Sequence, residues 1–268
     1  MTDFAEAIAH DARQDVLARL ERIERDTHVR ILLAVESGSR AWGFHSPDSD
    51  YDARFIYVRR EDDYLSLWPG RDVIESPIDG LFDVNGWDLG KALKLMARGN
   101  SVVHEWIASP LVYRADPTFM AAFAPLAQEW RSAFADVHHY HGLLATQRGR
   151  FIEGRELVKL KKYFYVIRPA MALHWLREKG GAPPMDLPGL LAGVVLPRET
   201  ADALEALRLS KRESAEMGEG ARIPAIDAYV EAQAAWALAS KPRAPTPSAA
   251  LIDRTNSFFR AAVRGTLG

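Results

Sequence analysis

The chain has 268 residues, a formal net charge of −2, 48% hydrophobic residues and no cysteine. The length suits one large or two modest domains. The near-neutral charge means that any attraction to polyanions must come from local clusters. Without cysteine there is no disulfide framework and no thiolate zinc site. The opening stretch MTDFAEAIAHDARQDVLARL is charged and amphipathic, and no apolar run is long enough to span a bilayer. A soluble cytoplasmic protein is expected.

Val16, Leu17, Leu20 and Ile23 fall at helical spacing and predict a first helix. Val29 to Val35 is a branched, mostly apolar run of strand length, broken at Ser37-Gly38-Ser39. HSPDS reads as a loop. Asp52 to Val58 (DARFIYV) reads as a second strand, with Asp50 at its mouth. One or two further strands fit between Arg71 and Val84. Asp88 is placed to cap a helix running through Leu89, Ala92, Leu93 and Met96. From about Pro117 the strand-like alternation gives way to helical patterning. The Pro-rich stretch KPRAPTPS then leads to a final helix carrying Phe258 and Phe259. The expected organisation is α+β: an α/β domain over residues 1–116, then an all-helical domain over 117–268.

Chemistry concentrates in Gly38-Ser39, a ten-residue gap, and Asp50-Tyr51-Asp52. A glycine after a strand lets a ligand approach the backbone closely. A helix opening at Ser39 would add free N–H groups and a dipole that favour phosphate, and the phosphate requirement leads us to expect one. Asp50 and Asp52 are two apart, so on extended chain both point to one side. Adjacent carboxylates repel unless a cation lies between them. Oxygen pairs of this kind suit Mg²⁺, which is bound by one or two carboxylates plus substrate phosphates. Each part alone is common turn chemistry. Their order is what points to phosphoryl or nucleotidyl transfer.

The run GSRAWGFHSPDSDYDARFIYV resembles the DNA polymerase β-like nucleotidyltransferase superfamily, and is most similar to its RNA-ligase-associated or YcgL-type branch. The blocks DVNGWDLGKALKLMARGNSVVHEWIASPLVY and LVKLKKYFYVIRPAMALHWL match that branch as well. The resemblance covers most of the chain to about residue 190. It implies a nucleotidyltransferase fold with a mixed sheet, a helical companion domain closing the NTP cleft, an NTP substrate, and Mg²⁺ or Mn²⁺. Carried over by residue, Gly38 and Ser39 hold the triphosphate, and Asp50 and Asp52 bind metal. The superfamily's third acid falls best on Asp83 in LFDVNG, with Glu105 in reserve. Catalytic and metal-binding roles are thus expected for Asp50, Asp52 and Asp83.

A second block, RGRFIEGRELVKLKKYFYVIRP, has seven basic residues between Arg148 and Arg168. If it is helical, Lys161, Tyr165 and Arg168 share a face and Lys162 lies around from them. The cations there could reach phosphates, and Tyr163 or Tyr165 could stack on a base. A solvated basic helix face with aromatics in the core is the bland alternative. The expected NTP-binding set is Gly38, Ser39, Arg40, Lys161, Lys162, Tyr165 and Arg168, with Lys161 and Lys162 facing the acids across an interdomain cleft. His138, His139 and His141 are not expected to bind metal. The expected activity is transfer of a nucleoside monophosphate from an NTP to an acceptor hydroxyl, with pyrophosphate leaving. The branch name favours RNA as acceptor. Transfer of AMP to protein, or a non-catalytic RNA- or nucleotide-binding module, are the rivals.

Overall fold

Helix α1 (His10–Thr27) buries Ala12, Val16, Leu20 and Ile23, the stripe that helical spacing requires. The chain leaves it at His28 in left-handed backbone (φ 54°) and enters strand β1 (Arg30–Ser37). These elements come from a computed structural model that describes residues 4, 7–213, 217–240 and 243–268. Strand β2 (Tyr51–Val58) follows, then helix α2 (Glu61–Tyr64) and strands β3 (Val73–Glu75) and β4 (Phe82–Asp88). Asp88 caps helix α3 (Leu89–Ala97) by accepting from the Gly90 N–H at 2.8 Å. Helix α4 (Val102–Ile107), strand β5 (Val112–Ala115) and helix α5 (Pro117–Trp130) complete this stretch.

The five strands form one mixed sheet in the order β3-β4-β2-β1-β5, with β2 and β4 parallel and the other pairs antiparallel. Both faces are covered, which is why β1 reads as a continuous apolar run. On one face α1 packs over Ile31, Phe55, Tyr57 and Tyr113. On the other, α3, α4 and α5 pack over Leu33, Val35, Ile56 and Val58. That second layer is joined by the last helix of the chain, α11 (Ala249–Arg264). Its Phe258 stacks on Phe123 at 5.7 Å. The sheet unit therefore comprises the described residues from Phe4 to Ala41, then Ser49–Arg131, then Pro245–Gly268.

A second compact unit holds Ser132–Ala244 together with the short segment Trp42–Asp48. Its helices are α6 (Ala133–Phe151), α7 (Tyr163–Glu178), α8 (Leu187–Gly193), α9 (Arg198–Glu213) and α10 (Pro224–Ser240). Helix α7 is apolar nearly all round, as the central helix of a bundle must be. A two-stranded ribbon of β6 (Leu157–Lys159) and β7 (Glu219–Ala221) also belongs to this unit. The sequence does not announce it, because three-residue strands leave no periodic signal. No helix among the described residues is long and apolar enough to cross a membrane. Of the Pro-rich connector, Lys241 and Pro242 lie outside the described residues.

Candidate active site

The sheet register brings the acids together. Ser37 at the end of β1 pairs with Asp52 of β2, and Asp52 pairs in turn with Asp83 of β4. Asp52 and Asp83 therefore project from neighbouring parallel strands on the same face. Arg54, two residues along β2, is on that face too. Its Nη2 donates to Asp52 Oδ1 at 3.1 Å and to Asp83 Oδ2 at 2.7 Å, and its Nη1 donates to the Asp83 carbonyl at 2.8 Å. The Asn85 amide donates to the other Asp83 oxygen. Immediately after Ser37, Gly38 takes a left-handed conformation (φ 93°), and a Cβ there would lie 2.1 Å from Asp52 Oδ2. Glycine is required at this position by both its backbone and its neighbour.

Burial pushes the Asp52 carboxyl up to about 6; Arg54 opposes the change, while Asp83 and Asp50 add to it. Behind Asp52 lies Glu36, fully buried in the apolar strand β1. Glu36 Oε1 accepts from the Asp52 N–H at 2.8 Å, and its Oε2 accepts from the Tyr113 hydroxyl. Burial raises Glu36 to about 7, against the pull of those two hydrogen bonds. The site is thus a graded stack of acids: a buried Glu36, a half-buried Asp52 beside Asp83, and an exposed Asp50.

Two neighbouring carboxylates, one of them raised by burial and by its acidic neighbours, are what a divalent cation would relieve. The cation now shared by Asp52 and Asp83 is the Arg54 guanidinium. Among the described residues, no group of three or more histidines and acids is arranged to hold a metal ion. The reserve acid, Glu105, is buried in α4 and not on the strands that carry Asp52 and Asp83.

No helix opens at Ser39; residues 39–43 form turns. The reason is local. Gly38 and Gly43 both have positive φ, at 93° and 76°, which a continuing helix does not allow. Arg40 fixes the turn from inside. Its buried guanidinium donates to the carbonyls of Ala7 (2.7 Å), Ser49 (2.6 Å) and Asp50 (3.2 Å), and lies 3.9 Å from the Tyr51 ring centre. Arg40 thereby sets the backbone that presents Asp50. Ser39 is buried beside it.

In the helical unit, Lys161 and Lys162 occupy a 3₁₀ turn (Leu160–Lys162), and α7 begins after them. Lys162 is the N-cap of α7 and lies three residues before Tyr165, so it is Lys162 that meets Tyr165. Lys162 Nζ lies 4.5 Å from the ring centres of both Tyr165 and Phe151. The face expected to join Lys161, Tyr165 and Arg168 is corrected accordingly. Arg168 is 2% exposed, donates to the Met185 carbonyl at 3.1 Å, and lies 4.2 Å over Trp42. Lys211 of α9 carries no sequence signal, because a lysine on an amphipathic helix looks like any other. It is buried. Arg54 and Glu36 are also absent from the expected set, although a charged residue inside an otherwise apolar strand is a readable signal. A cavity of about 660 Å³ opens between Arg59, Tyr64, Lys91 and Phe259, toward the far ends of β2 and β4 from Asp52 and Asp83. Its volume does not make it the site of the chemistry.

Comparison with known proteins shows the family of the chain. The model of a family described as the RNA repair pathway DNA polymerase beta family (RlaP) matches residues 12–261. The protein YcgL of Bacillus subtilis (strain 168) is 41% identical over 221 residues, 82% of this chain and 85% of that protein. A nucleotidyltransferase-like protein from Exiguobacterium sibiricum 255-15, known from its crystal structure, is 14% identical. That likeness covers 92% of this chain and 74% of that one with a TM-score of 0.26, too low to bear on the fold.

Proposed function

The chain belongs to the RNA repair pathway DNA polymerase beta family, and from that premise we propose that it moves a nucleoside monophosphate from an NTP to an acceptor hydroxyl, with RNA as the acceptor class. The observation that supports this most is the pairing of Asp52 with Asp83 beside the left-handed Gly38 turn. The acceptor oxygen forms a bond to the α-phosphorus, and the bond to pyrophosphate breaks. The hydroxyl proton passes to Asp83, which lies beside Asp52 and accepts hydrogen bonds on both oxygens. Asp50, Asp52 and Asp83 would hold a divalent cation, Mg²⁺ or Mn²⁺, which when bound supplies charge neutralisation at the phosphates.

The remaining roles belong to this chain's own groups. Gly38 keeps the backbone close enough for a phosphate to approach. Arg40 holds the loop that presents Asp50. Lys161 and Lys162 supply positive charge for the triphosphate, and Tyr165 offers an aromatic face. Arg168 braces the helical unit. Catalysis in such a site is mostly positioning and electrostatics rather than covalent participation.

The test is a screen of the four labelled NTPs, with Mg²⁺ or Mn²⁺, against RNAs of defined 3′ and 5′ end chemistry and against total protein. Label transferred to RNA, lost in Asp52→Ala, supports the proposal. Label on protein alone reassigns the acceptor. Binding of NTP with no transfer to any acceptor leaves a binding module and sinks the reading.

A further inference from the structure

Glu36 of β1 is 0% exposed, and both its main chain and its side chain are tied. Its N–H donates to the Leu111 carbonyl at 2.8 Å, and its carbonyl accepts from the Ser109 hydroxyl at 2.7 Å. The side chain reaches both strands that flank β1. Oε1 accepts from the Asp52 N–H of β2 at 2.8 Å, and Oε2 accepts from the Tyr113 hydroxyl of β5. Tyr113 is itself buried in the apolar layer that α1 covers. One buried carboxylate thus ties three strands together at the end of the sheet where Asp52 lies.

An apolar side chain would fill this place at lower cost, because a carboxylate loses its hydration there. An apolar residue cannot accept two hydrogen bonds, however, and both donors would be left without a partner. The Asp52 donor is the informative one. It is the backbone N–H of the acid whose carboxylate lies against Gly38 and Arg54, so the bond fixes the peptide from which that carboxylate springs. The Gly38 side of the approach depends on Glu36 as well. Gly38 follows two residues later, and the main chain at Glu36 is held by Ser109 and Leu111. A Cβ on Gly38 would come within 2.1 Å of Asp52 Oδ2, so there is no slack between the two. Reacting groups need placement to about 0.5 Å, and supporting hydrogen bonds of this kind supply it.

We propose that Glu36 is a positioning residue: its side chain holds the Asp52 backbone and its main chain holds the approach to the Gly38 turn, so that the acid stands in fixed register with the turn and with Asp83. Glu36 acts through Asp52, and Tyr113 and Ser109 hold it in place; in this role it touches neither substrate nor cation. That the register serves transfer rests on the nucleotidyl-transfer reading; the anchoring itself does not.

The experiment compares the full wild-type chain with Glu36→Gln and with the double variant Glu36→Leu/Tyr113→Phe. The double variant replaces both partners of a buried hydrogen bond by apolar groups, a change close to neutral for stability. Glutamine keeps an oxygen for the Asp52 N–H and can turn its amide toward the Tyr113 oxygen. Hydrogen exchange, followed by mass spectrometry without nucleotide or metal, is the first readout. In the double variant Tyr51–Arg54 exchanges at least ~10-fold faster than in wild type while α1 and α3 do not change, and Glu36→Gln stays close to wild type. A merely structural loss would speed exchange throughout the sheet unit. Transfer is the second readout. In the double variant kcat falls at least ~30-fold with KM for the NTP changed by less than about twofold, and glutamine restores most of the rate. Should the double variant not fold, Tyr113→Phe, which frees Glu36 from β5 and leaves the Asp52 bond, carries the same expectation at severalfold. Unchanged exchange at Tyr51–Arg54, exchange that rises equally in α1 and α3, an unchanged kcat, or a glutamine variant as impaired as the double one overturns the proposal. If wild type transfers label to no acceptor, nucleotidyl transfer fails, and the exchange readout alone decides the anchoring.

Discussion

Gly38 and Asp52 touch so closely that no side chain fits between them: a Cβ on Gly38 would lie 2.1 Å from Asp52 Oδ2. The contact joins the turn after β1 to the acid that opens β2. Gly38→Ala must therefore either rotate Asp52 away from Asp83 or distort a left-handed turn. The backbone part alone costs ~1–2 kcal/mol. Transfer should fall by at least ~100-fold, because reacting groups displaced by about 1 Å lose that much. The melting temperature should fall modestly. Near-normal turnover in Gly38→Ala would show that the approach of Asp52 to the turn has no part in catalysis.

Asp52→Ala and Asp83→Ala should each abolish transfer while the sheet persists. Neither acid lies in the apolar layers: their side chains are 26% and 24% exposed. Removing one of two neighbouring carboxylates also relieves repulsion. Loss of activity by ~10³-fold corresponds to ~4 kcal/mol of transition-state stabilisation. Circular dichroism and a thermal melt separate this from unfolding. An Asp83→Ala enzyme that still turns over at a tenth of the wild-type rate would return the third-acid role to another residue.

Arg54 gives a way to ask whether the acids want a cation. Its guanidinium bridges Asp52 and Asp83. In Arg54→Met the two carboxylates face each other uncompensated, and stability should fall by ~1–3 kcal/mol. Added Mg²⁺ or Mn²⁺ should restore much of that loss in Arg54→Met and do less for wild type, because a ligand stabilises the state that binds it. Melting curves with and without the ion decide it. Equal ion effects on both proteins would argue against a shared cation position.

The candidate acidic site could be picked out in the sequence because it sits in a local pattern. The glycine, the ten-residue gap and the acid pair occupy fifteen consecutive residues, and the strand that follows carries its own apolar signal. Asp83 could be placed on a strand, but not its register against Asp52, which is a parallel pairing across 31 positions. Non-local pairing leaves no trace in periodicity. The loss of strand-like alternation near Pro117 is a local property too. The compact sheet unit runs on to Arg131 and takes in α11, since α5 and α11 close its core through Phe119, Phe123 and Phe258. The turn after β1 departs from expectation for a different reason. A Gly-Ser pair after a strand suits a helix start, but Arg40 turns inward to three carbonyls and keeps the chain in a turn. Lys211 was hidden because burial of a single lysine depends on Phe44, more than 160 residues away in sequence.

Lys211 yields the clearest pH prediction. Burial, with help from Lys161 and Lys162, lowers its ammonium from 10.5 to about 8, against the opposing pull of Asp48. A folded-state pKa below the unfolded one means that the unfolded chain binds the proton more tightly. The group's favourable contribution is then complete only above about 10.5, and it is lost as the pH falls through 8. At pH 7 the buried charge accordingly costs the fold about 3 kcal/mol, at ~1.4 kcal/mol for each pH unit between the two values. Lys211→Met keeps the stem that packs on Phe44 and Phe164 and removes the ammonium. The variant should melt higher than wild type at pH 7, with the advantage shrinking steadily from pH 8 toward pH 10.5. Denaturant unfolding of both proteins at pH 7, 8.5 and 10 measures the difference directly. A variant less stable than wild type at pH 7 would mean that an anion of the fold already balances Lys211. A difference that stays constant with pH would mean that its ammonium is not desolvated at all.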